Sequence, residues 1–205
     1  MKAAIPGTSL TVHPDRFPDP AEDLPADQDP GRAILGGGCF WCVEAVYQAL
    51  DGVSSVVSGY AGGTPETANY DAVCGGHTGH AEVVEVGYDP QRISYGQLLK
   101  LFFAIAHDPT QKDRQGNDRG PQYRSSLFPV NQAQSEVATH YIQQLDNAGA
   151  FTAPIVTTIE PGQTFYPAEE YHQDFARRNP AQPYIAHVAR PKVEKLHAHF
   201  NNLLK

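Results

Sequence analysis

Between Ala33 and Pro129 the apolar pattern changes period in an order that few folds can accommodate. RAILGG is a short apolar run stopped by glycine, which predicts a buried strand. FWCVEAVYQAL follows at once, with Val43, Val46, Tyr47 and Leu50 at helical spacing and Asp51-Gly52 as its end. VSSVVSGY reads as strand, HAEVVEVGYDP as another closed by Asp89-Pro90, and SYGQLLKLFFAIAH as a helix with Ser94 as N-cap. YRSSLFPV is a further strand. The order is βαββαβ, the split βαβ or ferredoxin-like unit, and it predicts an α+β two-layer sandwich. Beyond it, NQAQSEVATHYIQQLDNAG predicts an amphipathic helix with Val137, Tyr141 and Leu145 on one face and Gly149 past its end. PIVTTIE predicts a strand, residues 160–190 read as mostly irregular, and a terminal helix starts at Pro191 and carries Val193, Leu196, Phe200 and Leu203.

Residues 1–32 are different. PDRFPDPAEDLPADQDPG is rich in proline and aspartate, so 1–32 is expected to be an extended N-terminal arm without its own core, wrapped on the domain or mobile. Residues 33–205 are expected to be the folded domain. With 23 acidic against 15 basic residues, a formal charge of −8 and no basic run, nucleic acid is not an expected partner. No apolar run approaches the roughly 18–20 residues a bilayer requires, so no membrane association is expected. The first twenty residues also lack the apolar stretch of a secretory signal. Three cysteines argue against a secreted disulfide framework and for a reducing, cytoplasmic setting. There, C-x-x-C means redox chemistry or a metal.

GGGCFWC, residues 36–42, places Cys39 where a strand gives way to a helix. A helix N-terminus offers unpaired N–H groups and partial positive charge, so the expectation is a stabilised thiolate at Cys39. The glycines are expected to leave room for a substrate to approach the sulfur. Cys42, three residues on, shares that helix face and could resolve an oxidised Cys39. Two other readings stand beside this one: plain burial, favoured for Cys74 in NYDAVCGGHTGH, and a zinc set of Cys39, Cys42, Cys74 and His77. In HAEVVEVGY, Glu82 alternates onto the face of Val84, Val86 and Tyr88. Its carboxyl should be desolvated, its pKa raised, and its proton usable near neutral pH. Glu85 falls on the opposite, more solvated face. Tyr70 and Tyr123 stand in polar, glycine-containing segments, and Asp118 lies in a loop too long to be only a connector. Phe40 and Trp41 cannot both point at one core, so at least one is expected beside the thiol. An apolar wall there suits a small group such as a methyl.

Taken together, GGGCFWCVEAV resembles the signature of the A-type peptide methionine sulfoxide reductases. VVSGYAGG, NYDAVCGGHTGHAEVVEVGYDP, HDPTQKDRQGNDRGPQYRSSLF, FYPAEEYHQDF and QPYIAHVARPKVEKL agree with that family in order, from about residue 33 to the end. The resemblance implies reduction of the S epimer of methionine sulfoxide, free or in proteins, without a cofactor. Cys39 would attack the sulfoxide sulfur and become a sulfenic acid. Glu82 would protonate the oxygen, with Tyr70 and Tyr123 holding it. Asp118 would bind substrate and position water, and Phe40 and Trp41 would cradle the methyl group. Many relatives carry a recycling cysteine in a glycine-rich tail, whereas HAHFNNLLK has none. The simplest inference is a Cys39–Cys42 disulfide reduced by thioredoxin. An external thiol such as glutathione or glutaredoxin, and Cys74 as resolver, are the competing routes.

Overall fold

The computed structural model describes residues 3–5 and 7–205; Met1, Lys2 and Pro6 of the arm lie outside the described residues. Strand β1 (Arg32–Gly37) has five of its six residues buried, as expected of a strand covered on both faces. Helix α1 (Phe40–Gln48) follows, then β2 (Val53–Ala61), the short helix α2 (Tyr70–Cys74), β3 (Ala81–Tyr88) and α3 (Tyr95–Leu101). Ser94 and Gln97 close a full capping box on α3, which runs on into a buried π-helical turn, Phe102–Ala106. The long polar loop contains a tight pair, β4 (Arg114–Gln115) and β5 (Asp118–Arg119). Next come β6 (Ser125–Leu127), α4 (Gln132–Ala148) with Gly149 left-handed at its end, β7 (Thr158–Ile159) and β8 (Phe165–Pro167). The chain finishes with α5 (Phe175–Arg178) and α6 (Arg190–His199).

The fold is mixed α+β. Its main sheet has the order β7-β6-β1-β3-β2-β8. Neighbours are antiparallel except β6 and β7, which are parallel. The alternation along β3 sorts its side chains between two cores. Val84, Val86 and Tyr88 join the large core beneath the helices, while Ala81 and Val83 join a small cluster with Ile34, Ala61 and Phe128. The large core also takes Val43, Val46 and Tyr47 from α1, Leu98 and Leu99 from α3, Val137, Tyr141 and Leu145 from α4, and Leu196 from α6.

Three stretches differ from the sequence reading. PIVTTIE keeps only two strand residues, because it pairs at the sheet edge with a β6 only three residues long. NYDAVC, a polar segment to which no element is assigned from sequence, makes α2, capped by the Asn69 side chain on Ala72 N. Residues 160–190 are less irregular than expected: Phe165–Pro167 adds a strand to β2, and Ile185–Ala189 forms a π-helical turn leading into α6. The described part of the arm packs on the domain. Leu10 bridges to Phe151, the buried Phe17 packs edge-on against Phe151, and Tyr141 donates to Pro18 O at 2.6 Å. Asp23 accepts from Gly96 N at 2.8 Å, and Asp29 from Tyr88 Oη at 2.6 Å. Among the described residues no helix is long and apolar enough to cross a membrane.

Candidate active site

Cys39 is the N-cap residue of α1 and only 9% exposed. Its carbonyl accepts from Cys42 N and Val43 N, but its side chain caps nothing. The first free N–H of α1, that of Phe40, donates instead to Glu82 Oε2 at 3.0 Å. The expected thiolate at Cys39 is therefore corrected. Burial pushes the Cys39 thiol well up, and the neighbouring Cys42 and Glu82 add to the shift. The glycines also allow close packing around Cys39. Gly38 has φ +87°, and a Cβ there would lie 2.5 Å from the Gln115 side chain. A Cβ on Gly36 would lie 2.5 Å from Ser126 Oγ. They fix the turn and the close packing that set Cys39 in place.

Glu82 is 2% exposed. Burial raises its pKa to about 8 against the Phe40 N–H, with help from the Asp118 charge. It therefore carries a proton through neutral pH. Cys42 is 1% exposed, and the hydrogen bond from Cys39 draws it down to about 7 against the effect of burial. As a thiol it donates to Tyr184 Oη at 3.8 Å, and Tyr184 Oη donates to Asp118 Oδ2. Asp118, Tyr184, Cys42 and Cys39 thus form one polar chain. A cleft of about 530 Å³ opens onto both sulfurs and onto Asp118 and Tyr184, with arm residues Gly7–Leu10 and Lys192 and Lys195 among its walls.

The aromatic residues gather outside this cleft, around Trp41 and His172. Phe40 is buried and Trp41 half-buried, the division expected of neighbours on a helix. Trp41 stacks on Phe175 at 3.8 Å between ring centroids, nearly parallel, and its Nε1–H donates to His172 Nδ1 at 3.2 Å. His172 is 1% exposed and lies 5.0 Å from the Phe40 ring and 4.4 Å from the Tyr70 ring. Tyr70 starts α2, where its N–H donates to Glu169 Oε1 at 2.9 Å. Glu169 also accepts from Tyr60 Oη, beneath Phe40, at 2.8 Å. Tyr123 ends a short 3-10 turn and is half-buried. Burial raises the pKa of both Tyr70 and Tyr123, and the Glu82 and Cys39 charges act in the same direction. Both phenols thus remain donors at neutral pH.

Sequence reasoning missed His172, Glu169, Phe175, Tyr184 and Glu44. The first three stand in FYPAEEYHQDF, whose lack of periodicity hid them; the density of aromatic and acidic residues was the available signal. Glu44 is buried in α1, its pKa raised to about 7 by burial, and it accepts from Asp174 N at 3.0 Å. It thereby ties α1 to the segment that brings Phe175 against Trp41. Cys74 is exposed beside the Tyr70 phenol. The zinc set is not assembled. Among the described residues, the one group of side chains close enough to share an ion is His13, Asp15 and His199.

The family model described as peptide methionine sulfoxide reductase matches residues 31–204. The chain is 56% identical over 164 residues to the peptide methionine sulfoxide reductase MsrA 2 of Mesorhizobium japonicum, covering 80% of this chain and 84% of that one. It is 47% identical over 211 residues to the protein of the same name from Synechocystis, covering 100% and 99%. The crystal structure of reduced Mxr1 from Saccharomyces cerevisiae superposes with a TM-score of 0.65 at 37% identity, covering 80% of this chain and 90% of that one.

Proposed function

Because the chain belongs to the peptide methionine sulfoxide reductase family, we propose that Cys39, Glu82, Tyr70 and Tyr123 carry out its sulfoxide chemistry. The enzyme is a peptide-methionine (S)-S-oxide reductase. The observation that carries the reading is the sharing of one helix start. The Cys39 thiol and the protonated Glu82 meet there, with the Phe40 N–H on the carboxyl and an aromatic wall alongside.

The reaction begins with sulfoxide bound so that its methyl group rests on Phe40 and Trp41. Its oxygen then lies toward Glu82, Tyr70 and Tyr123. Cys39 sulfur attacks the sulfoxide sulfur, and Glu82 gives its proton to the oxygen. The Cys39 proton replaces it on the carboxylate. The hydroxyl then passes from the substrate sulfur to Cys39 sulfur: the old S–O bond breaks, a new S–O bond forms on Cys39, and the S–S bond of the adduct breaks, which releases methionine and leaves Cys39 as sulfenic acid. Asp118, reached through Tyr184, orders the polar side of the site. Cys42 then attacks the sulfenic sulfur, water leaves, and a Cys39–Cys42 disulfide forms. A thioredoxin-type dithiol returns the pair to thiols. The contact between the two sulfurs and the low pKa of Cys42 support its role as resolver.

The strand order β6-β1-β3-β2 supports reading the core as the ferredoxin-like unit. The arm, residues 1–32, and the catalytic domain, 33–205, remain the natural division. Three free cysteines suit the reducing cytoplasm. Assaying the purified enzyme on resolved epimers tests the activity. Reduction confined to the S epimer is the expected result, and turnover of neither epimer would refute it.

A further inference from the structure

We propose that His13, Asp15 and His199 form a binding site for a divalent transition-metal ion, a two-histidine, one-carboxylate set that joins the arm to the end of α6. His13 and Asp15 flank Pro14, at the start of a 3-10 turn spanning Pro14–Arg16. His199 is the last residue of α6. Asp15 spans the gap with both oxygens: Oδ1 lies 2.7 Å from His199 Nδ1, and Oδ2 lies 3.2 Å from His13 Nδ1. One ligand atom from each residue falls within 4.8 Å of the others. Ligands about 2.0–2.1 Å from a tetrahedral ion are about 3.3 Å apart, so a small opening of the trio would admit one.

Both histidines turn Nδ1 toward the Asp15 carboxylate. A cation among them would take a lone pair from each imidazole and from the carboxylate, in place of the hydrogen bonds that otherwise join them.

The ligands reach solvent, but their supports are buried. Pro14 and Phe17 lie beneath the first two, and Leu196 and Phe200 beneath the third. Such anchoring lowers the ordering cost of binding. Nitrogen and carboxylate donors suit zinc, cobalt or nickel better than calcium or magnesium. Two of the three ligands lie before residue 31, where the family match begins. The site is separate from the sulfoxide chemistry, and its test does not depend on that reading.

Cobalt(II) alone is the probe, titrated into the cysteine-free protein C39S/C42S/C74S so that no thiolate competes. The expected result is one equivalent bound, with the visible absorption of a low-coordinate site. H13A and H199A should each weaken binding by at least about tenfold, in line with losing one of three ligands. Binding that H13A and H199A leave unchanged, or none at millimolar metal, overturns the proposal. If the cysteine-free protein does not fold, the wild type serves: its cobalt spectrum must lack thiolate-to-metal charge transfer, and the H13A and H199A losses must persist.

Discussion

Replacing Glu82 by glutamine separates the acid from its shape. The amide is nearly isosteric and can still accept from Phe40 N, but it cannot deliver a proton at neutral pH. Wild-type Glu82, with a pKa of about 8, is about nine-tenths protonated at pH 7 and about one-tenth at pH 9. Methionine formation in the first turnover, measured by rapid quench before any recycling, should fall about tenfold across that interval. E82Q should be slower by about 100- to 10,000-fold at pH 7, the usual worth of a general acid, and should lack the descending limb. Stability gives a second readout. The native state binds the Glu82 proton more tightly than the unfolded chain, so stability falls as pH rises from the ordinary carboxylate range to about 8. The slope reaches at most about 1.4 kcal/mol per pH unit for one group. Glu44 adds a slope of the same sign up to about pH 7, so the comparison is between wild type and E82Q rather than of wild type alone. An E82Q enzyme within about threefold of wild type, or one that keeps the same descending limb, would show that Glu82 is not the acid.

Wild type should fall from three free thiols to one after a single sulfoxide turnover without reductant, leaving Cys74. Cys42→Ser should form methionine once and hold sulfenic acid at Cys39 with no intramolecular disulfide; a disulfide in that variant would remove Cys42 as resolver. Trp41→Ala removes the face stacked on Phe175 and the donor to His172, and kcat/KM should drop about 10- to 200-fold, the range for loss of a small apolar contact. Unchanged kcat/KM would place the methyl group elsewhere. Phe17→Ala should lower stability by about 3–5 kcal/mol in urea unfolding, because the ring is buried against Phe151. Wild-type stability in that variant would mean the arm unfolds independently of the domain.

The sequence showed most plainly what has a period. β1, α1, β2, β3 and α4 stand where apolar runs, alternation or helical spacing put them, and the Ser94 and Gly149 signals mark real helix ends. The alternation of β3 also led to a buried Glu82, since the carboxylate shares its face with Val84 and Val86. Segments held by tertiary partners were not legible. β8 is three residues long and ends in proline, so pairing with β2 makes it a strand more than any propensity of its own. Trp41 pointed to an apolar wall, but nothing local said that His172 and Phe175, more than a hundred residues later, would complete it. That approach depends on Glu44 holding Asp174 N.

The helix start at Cys39 shows why a correct element can still yield a wrong electrostatic inference. Position placed the sulfur at the positive end of α1, and a lone thiol there would be acidified. The site, however, holds a carboxyl as well, and the Phe40 N–H is committed to it. In a buried space a thiolate and a carboxylate raise each other's cost of ionisation, so they cannot readily be charged together. While Glu82 is protonated, Cys39 is relieved of one opposing charge. In the proposed mechanism Glu82 gives its proton to the sulfoxide oxygen at the helix N-terminus, where the Phe40 N–H already meets its carboxyl. The α1 N-terminus would there stabilise negative charge that develops on Glu82 between the departure of its proton and the arrival of the one from Cys39, rather than a resting thiolate. A resting thiol also resists adventitious oxidation, which attacks thiolate. On that proposal ionisation of Cys39 belongs to the substrate-bound state, in which one proton would cross from sulfur to carboxylate as another leaves for oxygen.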